Sequence, residues 1–421
     1  MTHINIKEIL WKLHIDSLTA MQQTTVEEYR KGKDLVLLSP TGSGKTIAYL
    51  LPLVLSLKNE NVLQAVVLVP SRELALQIEQ VFKSMGTGIP VMSCYGGRPA
   101  MDEHRTMKSL NPQVIVGTPG RMNDHLNKGN IDASHVHTLV IDEFDKCLEM
   151  GFQEEMSEVI VQIPYLKRRF LLSATDAPAI PRFVSEGDFL KLNFLEDEEQ
   201  IPERIKVYTV KSPEKDKLEV LSKLLCYLGD KSSLVFVNYR ESVERVYRYL
   251  LQAGISCEMF HGGMEQKDRE RALYKFSNGS CNVFVSTDLA ARGLDIPNID
   301  HVIHYHLPLN EDAYIHRNGR TARWDASGNV FLILGPEEYL PEFIQQIPED
   351  YVWEGPKPDP AKPQWVTLYI GKGKKDKINK VDIVGFLSKV GGLGKSDIGR
   401  IDVKEHLSLI HISEPTRRSY I

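Results

Sequence analysis

The chain has 421 residues, of which 42% are hydrophobic and 25% charged, a composition typical of a globular protein with two or three domains. Its formal net charge of −5 excludes a basic nucleic-acid coat protein, so a nucleic-acid site has to be a local cluster of Lys and Arg. Residues 1–13 lack the basic end and apolar run of a signal peptide, and no apolar stretch approaches membrane-spanning length. The 5 cysteines include no Cys-x-x-Cys pair, so we expect a reduced cytoplasmic protein without a membrane partner.

Short apolar runs rich in Val, Ile and Leu recur along the first half of the chain, with helical stretches between them. They do not alternate with polar residues, which is typical of strands buried on both faces of a parallel sheet. Ligands of such sheets bind at the carboxyl ends of the strands, so the residues that follow each run are the candidates for chemistry. The runs lie at 35–38, 65–69, 114–116, 138–141 and 170–172.

The same pattern restarts after a polar stretch at 196–203, which predicts a second α/β domain. We therefore assign residues 1–203 to a first domain and residues 204–347 to a second. Residues 348–363 contain five prolines and several charges, a composition that predicts a linker. A small basic segment, 364–406, follows the linker.

A phosphate-binding loop stands between the first strand and an apolar helix, which is the context that this motif requires. Gly42 and Gly44 allow backbone N–H groups to turn inward on phosphate oxygens. Lys45 would bridge the β- and γ-phosphates of a nucleotide, and the Thr46 hydroxyl would bind Mg²⁺. The alternative is a glycine-rich turn with an exposed lysine, because the strict pattern begins with Gly. The loop reads Ser39-Pro40-Thr41-Gly42-Ser43-Gly44-Lys45-Thr46.

Acidic and hydroxyl residues follow two later strands. Asp142 would hold the metal through water, and Glu143 would orient and deprotonate the attacking water. On its own such a pair is more often a helix cap; beside the phosphate loop we interpret it as catalytic. Ser173 and Thr175 follow the next strand, where two hydroxyls would lie next to Asp145.

Three arginines near the end of the second domain are spaced by three, so a helix would place them on one side. Arg317, Arg320 and Arg323 could stabilise the charge on a γ-phosphate, although three arginines alone are more often a solvated helix end. The lysine loop lies in the first domain and the arginines in the second. This division predicts an ATPase that is completed by closing two domains.

Three further segments suggest a path for a nucleic-acid strand, since each follows an apolar run and offers N–H groups, a hydroxyl or an arginine to phosphate and sugar. None offers an obvious contact to bases, so we expect the strand to be bound independently of its base sequence. Taken alone, each segment is as readily explained by a structural role as by a contact to nucleic acid. The candidates are Pro70, Arg72, Gly97, Thr118, Gly120 and Arg121.

Together these motifs resemble the DEAD-box RNA helicases over residues 13–334, in the order and spacing of that family. The resemblance implies two tandem RecA-like parallel-sheet domains that bind ATP and Mg²⁺. It also implies that Gln22 reads adenine, Asp295 contacts the ribose of ATP and Thr287 contacts RNA. In such proteins the residues that couple ATP to RNA correspond to Asp145, Ser173, Thr175, His316 and Arg317.

This chain departs from the family pattern at several positions. Phe144 replaces an alanine in the acidic motif, but the carboxylates remain, so we expect the chemistry to survive. Leu18 replaces a proline, and the aromatic residue expected before Gln22 is not evident. Asn318 and Ala322 are variants between the arginines.

The segment from Trp365 resembles the C-terminal RNA-binding module of the DbpA type, an RRM-like fold that binds a ribosomal RNA hairpin in those proteins. We expect a partial RRM-like α+β segment at 364–406, because too little chain follows Val403 for the missing strands. Residues 407–421 are assigned to an artefactual or disordered tail without stable packing.

The resemblance implies an RNA-stimulated ATPase and RNA helicase that unwinds short duplexes, in ribosome assembly. We expect a monomer that binds single-stranded RNA and short RNA duplexes, including ribosomal RNA. Two alternatives stay open at the level of sequence. One is an ATP-dependent RNA clamp or assembly platform without processive unwinding, and the other is a DNA-directed helicase of the same superfamily.

Overall fold

The computed structural model describes residues 5–40, 42–97, 99–175, 180–184, 187–195, 205–288, 299–321, 327–344, 347–404 and 407–413. These residues form two compact units, the first ending at 195 and the second beginning at 205. Among them, no helix is both long enough and apolar enough to cross a membrane.

The first unit is a parallel sheet between two apolar layers, with strand order β3-β4-β2-β5-β6-β1-β7. Its described strands are β1 (Asp34–Leu38), β2 (Ala65–Leu68), β3 (Val91–Cys94), β4 (Val114–Gly117), β5 (Thr138–Ile141), β6 (Arg168–Ser173) and β7 (Phe189–Asn193). Its described helices are α1 (Ile6–Lys12), α2 (Ala20–Arg30), α3 (Lys45–Ser56), α4 (Arg72–Ser84), α5 (Ala100–Leu110), α6 (Pro119–Asn127), α7 (Phe144–Glu149) and α8 (Gln153–Val161).

The second unit repeats this architecture with strand order β10-β11-β9-β12-β13-β8-β14, all pairs parallel. Its described strands are β8 (Ile205–Lys211), β9 (Ser233–Phe236), β10 (Cys257–Phe260), β11 (Val283–Ser286), β12 (His301–His304), β13 (Gly328–Leu334) and β14 (Glu349–Asp350). Its described helices are α9 (Leu218–Leu228), α10 (Arg240–Gln252), α11 (Gln266–Ser277) and α12 (Glu311–Asn318). Two tandem RecA-like parallel sheets are therefore present, as the resemblance implied.

Part of the predicted linker belongs to the second unit. Residues 349–353, the aromatic strap, begin as β14 and lie along β8 at the sheet edge. The Trp353 ring packs 5.1 Å from Tyr351 and 5.3 Å from Tyr227, with Lys223 Nζ 4.3 Å from its centre. The prolines predicted a linker throughout 348–363. The start of this segment is nevertheless ordered, because its aromatic rings cover the exposed edge of the sheet.

The C-terminal segment is an antiparallel sheet with order β15-β17-β16, covered on one face by a helix. Its elements are β15 (Trp365–Ile370), α13 (Lys380–Lys389), β16 (Ile398–Val403) and β17 (Ser408–Ser413), with 3₁₀ turns at Lys374–Asp376 and Lys395–Asp397.

The prediction that nothing after residue 407 packs stably is wrong for 408–413. These residues form the central strand of the small sheet, and Ile410 and Ile412 are buried beneath α13. Apolar side chains at alternate positions of a strand fall on one face, so this short stretch can complete a core. Residues 414–421 lie outside the described part of the chain.

Candidate active site and nucleic-acid contacts

The phosphate loop connects β1 to α3 and lies beside the end of β6. The Ser39 N–H donates to the Ser173 carbonyl at 3.1 Å, which fixes the start of the loop. Gly42 and Gly44 both have a φ of 89°, a left-handed conformation that a side chain disfavours. Gly44 is the N-cap of α3, so the loop leads into the N-terminus of a 12-residue helix, the end of a helix that favours anions. Thr41 lies outside the described residues.

Lys45 and Ser43 hold the phosphate loop together from inside. Lys45 Nζ donates to the Pro40 carbonyl at 2.6 Å and also to the Ser39 carbonyl. The Ser43 hydroxyl donates to the Pro40 carbonyl at 2.9 Å. Phosphate oxygens are acceptors like these carbonyls, and they carry more charge, so the same lysine can turn to a nucleotide.

Asp142 is the first residue after β5, and only 4% of it is exposed. Burial raises the pKa of its carboxyl to about 6, while the nearby Lys45 charge and the Glu143 N–H work in the opposite direction. That N–H lies 2.9 Å from Asp142 Oδ1. A carboxylate so poorly solvated is suited to accept a cation.

Glu143 adopts a φ of 50° directly before α7. A non-glycine residue is strained in this left-handed region, and such strain concentrates at functional sites. Glu143 joins the end of β5 to the start of α7, so Asp142 and Glu143 both lie at the carboxyl end of this strand.

The acidic and hydroxyl motifs come together at the ends of β5 and β6. The Thr175 hydroxyl donates to Asp145 Oδ2 at 3.1 Å. The Ser173 hydroxyl donates to the Thr175 carbonyl at 2.7 Å. Burial raises the pKa of Asp145, with the Lys146 charge opposing it.

Gln22 is 2% exposed and joins the start of α2 to the phosphate loop. Its Oε1 accepts from the Thr19 N–H at 3.0 Å, and its Nε2 donates to the Gly44 carbonyl at 3.3 Å. The glutamine predicted to read adenine therefore stands against the loop predicted to hold the phosphates.

The candidate nucleic-acid contacts of the first unit lie at the ends of three adjacent strands, β3, β4 and β2. Arg72 lies over the backbone of Gly97, and a Cβ at Gly97 would collide with the guanidinium. The Thr118 N–H donates to the Cys94 carbonyl at 3.1 Å. A Cβ at Gly120 would meet no neighbour within 4 Å, whereas Arg121 lies 3.4 Å from Glu103. Pro70 is buried at the end of β2.

In the second unit, the fully buried Arg317 is the centre of a polar cluster. Its Nε donates to Asp288 Oδ1 at 2.5 Å, its Nη2 donates to Asn238 Oδ1 at 2.8 Å, and its Nη1 donates to the His306 carbonyl at 2.9 Å. The prediction that one helix carries all three arginines is wrong, because α12 ends at Asn318. Arg317 itself lies on this helix and is buried in the core.

Three other predicted residues of the second unit lie close in sequence to members of this cluster. Arg320 and His316 are buried, and the Thr287 carbonyl accepts from the Ser286 hydroxyl at 2.8 Å. Arg323 and Asp295 lie outside the described residues. Sequence reasoning missed Asp288 and Asn238, although Asp288 directly follows Thr287.

His304 completes the cluster as a neutral ring. Its Nε2 donates to Asn318 Oδ1 at 2.9 Å, while its Nδ1 lies 3.5 Å from Arg317 Nη1. Burial, with the Arg317 charge second, lowers the pKa of His304 to about 3. Asn318, a departure from the family pattern, thus has a partner in this fold.

Family models match three consecutive parts of the chain: the DEAD/DEAH box helicase at 19–181, the helicase conserved C-terminal domain at 216–325 and the DbpA RNA binding domain at 367–418. The ATP-dependent RNA helicase DbpA of Bacillus subtilis (strain 168) is 31% identical over 94% of this chain and 89% of the relative. DbpA of Escherichia coli (strain K12) is 33% identical over 92% and 87%. The structure of S. cerevisiae Dbp5 bound to RNA and ADP BeF3 superposes with a TM-score of 0.70 and 27% identity, covering 78% of this chain and 88% of that one.

The chain therefore belongs to the DEAD-box family of ATP-dependent RNA helicases. Within that family it carries a C-terminal RNA-binding module of the DbpA type. It is an RNA-stimulated ATPase that binds a nucleotide and RNA.

Proposed function

We propose that this helicase separates short RNA duplexes locally, with ribosomal RNA as its substrate during ribosome assembly. The DbpA-type module and the two DbpA relatives support a structured RNA target. A monomer that acts in the cytoplasm is part of the same proposal. The five free and buried cysteines are in keeping with a reducing compartment.

The observation that carries the catalytic part of the proposal is the buried Asp142 carboxylate beside the phosphate loop. Asp142 and the hydroxyl of Thr46 are oxygen donors of the kind that Mg²⁺ prefers, so the residues fit this ion. When bound, the ion would neutralise negative charge on the β- and γ-phosphates.

Each residue at this site has a defined task in the proposal. Lys45 exchanges the carbonyls of Ser39 and Pro40 for phosphate oxygens. Glu143 accepts the proton of the attacking water. Gln22 pairs with adenine, and Asp295 contacts the ribose.

The second unit supplies positive charge when ATP is hydrolysed. Arg320 and Arg323 stabilise the transferring phosphoryl group, a task that Arg317 cannot perform because its guanidinium is buried against Asp288. The presence or absence of the γ-phosphate is instead coupled to the RNA-binding loops by Arg317, His316 and the Asp145–Thr175 pair.

RNA is held along its backbone by the loops that follow β2, β3 and β4 and by Thr287. Phosphate and sugar contacts from N–H groups, hydroxyls and arginines carry no sequence information. Target choice then falls to the C-terminal module, and the helicase units act on the duplex close to it.

The test is an ATPase and strand-separation assay with no nucleic acid, ribosomal RNA, poly-A RNA and single-stranded DNA. We expect RNA to stimulate turnover and single-stranded DNA to fail, because the 2′-hydroxyl distinguishes the two. Ribosomal RNA should saturate at a lower concentration than poly-A RNA. Equal stimulation by DNA would contradict RNA specificity, and strand binding without phosphate release would favour the RNA clamp.

A further inference from the structure

A buried carboxylate lies between two of the RNA-binding loops of the first unit. Glu103 is in the first turn of α5 and is 5% exposed. Its Oε1 accepts from the Tyr95 N–H at 3.1 Å, in the loop that leads to Gly97. Its Oε2 faces His125 Nε2 at 2.9 Å and Arg121 Nε at 3.4 Å, both on α6.

The hydrogen bonds of His125 fix the direction of this contact. Asn130 Nδ2 donates to His125 Nδ1 at 3.2 Å, so the ring proton is on Nε2 and is donated to Glu103. His125 has no exposed surface and cannot turn away without leaving buried polar atoms unpaired. Glu103 is thus held at one oxygen by the backbone and at the other by a fixed imidazole, and that second oxygen faces Arg121.

Arg121 would otherwise be a long side chain with many rotamers. Its Nε forms an ion pair with Glu103, and its Nη1 lies 3.8 Å from Asp124 Oδ2 at the next turn of α6. Carboxylates on two sides orient the plane of the guanidinium, and an oriented arginine loses less entropy when it binds a phosphate.

A metal centre is the competing interpretation of this cluster. Ligand atoms of Cys94, Glu103 and His125 all lie within 4.8 Å of one another. Burial, followed by the Glu103 charge, raises the pKa of the Cys94 thiol well above its usual value, and metals bind the thiolate. The Arg121 cation beside the carboxylate also opposes a second cation, so the geometry favours a hydrogen-bonded cluster.

We propose that Glu103 is a positioning residue for RNA binding, which orients Arg121 toward the RNA backbone through a carboxylate fixed by Tyr95 and His125. The inference rests on the proposed role of Arg121 as an RNA contact. It explains why an acidic residue is buried next to a surface that must attract phosphate, where a bare negative charge would repel the ligand.

The direct test is Glu103→Gln in the full chain. The amide preserves size but presents a neutral group to Arg121, so we expect the KM for RNA in the ATPase assay to rise about tenfold, as for loss of one charged hydrogen bond. The KM for ATP and kcat at saturating RNA should stay unchanged. The matched control is Glu79→Gln on α4. The Glu79 carboxylate accepts a hydrogen bond from Ser93 and pairs with Lys83, so this variant should bind RNA normally.

A double-mutant cycle separates this inference from the proposed function on which it rests. Arg121→Ala should weaken RNA binding, and Glu103→Gln should add little in that background. If Arg121→Ala binds RNA like the wild type, the proposed RNA contact fails. If Arg121→Ala weakens binding but Glu103→Gln does not, or if the two effects add fully, the positioning role fails.

Two further measurements keep the proposal testable if Glu103→Gln does not fold. Arg121→Lys keeps the charge but loses the planar group that Glu103 orients, so it should bind RNA several-fold more weakly. Wild-type affinity in that variant would mean that charge alone suffices, against the proposal. One zinc per chain in the purified protein, lost in Cys94→Ala, would equally overturn it.

Discussion

Glu143 and Asp142 are adjacent carboxylates with different surroundings. Asp142 is buried beside the Lys45 charge, while Glu143 is half-buried and has a left-handed backbone directly before α7. Two neighbouring acids can therefore take separate tasks, one toward the metal and one toward water.

The first prediction separates these tasks. Glu143→Gln should retain ATP affinity, because the charge at Asp142 is unchanged, and should lose at least about 10²-fold in turnover, because an amide cannot accept the proton of water. Binding of a fluorescent ATP analogue and phosphate release measure the two effects. The variant should also stay bound to RNA when ATP is present. Turnover at the wild-type rate would exclude Glu143 as the base.

The second prediction concerns pH and His304. The pKa of His304 in the folded chain is about 3, below the usual value of 6.5, so between these pH values His304 is protonated in the unfolded chain and neutral in the folded chain. The stabilising contribution is present above pH 6.5 and is lost as the pH falls toward 3. When the pH is lowered from 7.5 to 5, the free energy of unfolding of His304→Asn should fall by about 2 kcal/mol less than that of the wild type. Denaturant unfolding at both pH values measures this, and parallel losses in the two proteins would contradict it.

At the level of elements, residues next to strand ends could be predicted from the sequence. The phosphate loop, Asp142 and Thr175 follow strands that are buried on both faces, and the sequence pattern identifies such strands directly. Strands β3 and β7 were missed, because Ser93 interrupts one and Lys191 makes the other alternate, as expected for edge strands.

Contacts that depend on strand order could not be predicted in the same way. Glu103 meets Arg121 only because β3 lies beside β4, an arrangement that no local pattern encodes. The spacing of three failed for the arginines because it assumes that the helix continues, whereas α12 stops at Asn318, before Arg320. The central strand β17 is a short stretch with a weak sequence pattern, in which Ile410 and Ile412 join the apolar core.

The third prediction tests the aromatic strap as an element of the second unit. Trp353→Ala removes the ring that packs on Tyr351, Tyr227 and Lys223, and should destabilise this unit by about 1–2 kcal/mol. Trp11, which is 75% exposed on α1, supplies the control, since Trp11→Ala should change stability little. Thermal unfolding compares the two variants. Equal melting temperatures would mean that the strap is only a linker.

At the scale of the whole molecule, the residues proposed for ATP hydrolysis belong to both units. Lys45, Asp142 and Glu143 belong to the first unit and Arg320 to the second. Neither unit has both the phosphate loop and the arginine, so hydrolysis should depend on the two acting together.

The fourth prediction tests this dependence. Arg320→Ala should lower kcat by about 10³-fold or more and weaken ATP binding far less, because the arginine acts on charge in the transition state. Arg320 is buried, so circular dichroism must first establish that the variant is folded. Single-turnover hydrolysis and ATP-analogue binding provide the comparison. Losses of equal size in affinity and turnover would assign Arg320 to ground-state binding.

The C-terminal module is joined to the second unit by side-chain contacts as well as by the chain, because Asn278 Nδ2 donates to Thr367 Oγ1 at 2.8 Å and the Tyr274 hydroxyl donates to the Leu409 carbonyl at 3.4 Å. The Tyr227 hydroxyl donates to the Gly355 carbonyl at 2.8 Å, and β15 begins at Trp365, so the chain between them spans at most about 35 Å. An RNA gripped by the module is consequently presented to the second unit at an effective concentration of the order of millimolar. Because the module and the helicase units are tethered so closely, binding of the module to one RNA element would direct unwinding to the duplex beside that element. The helicase units then need no sequence preference of their own.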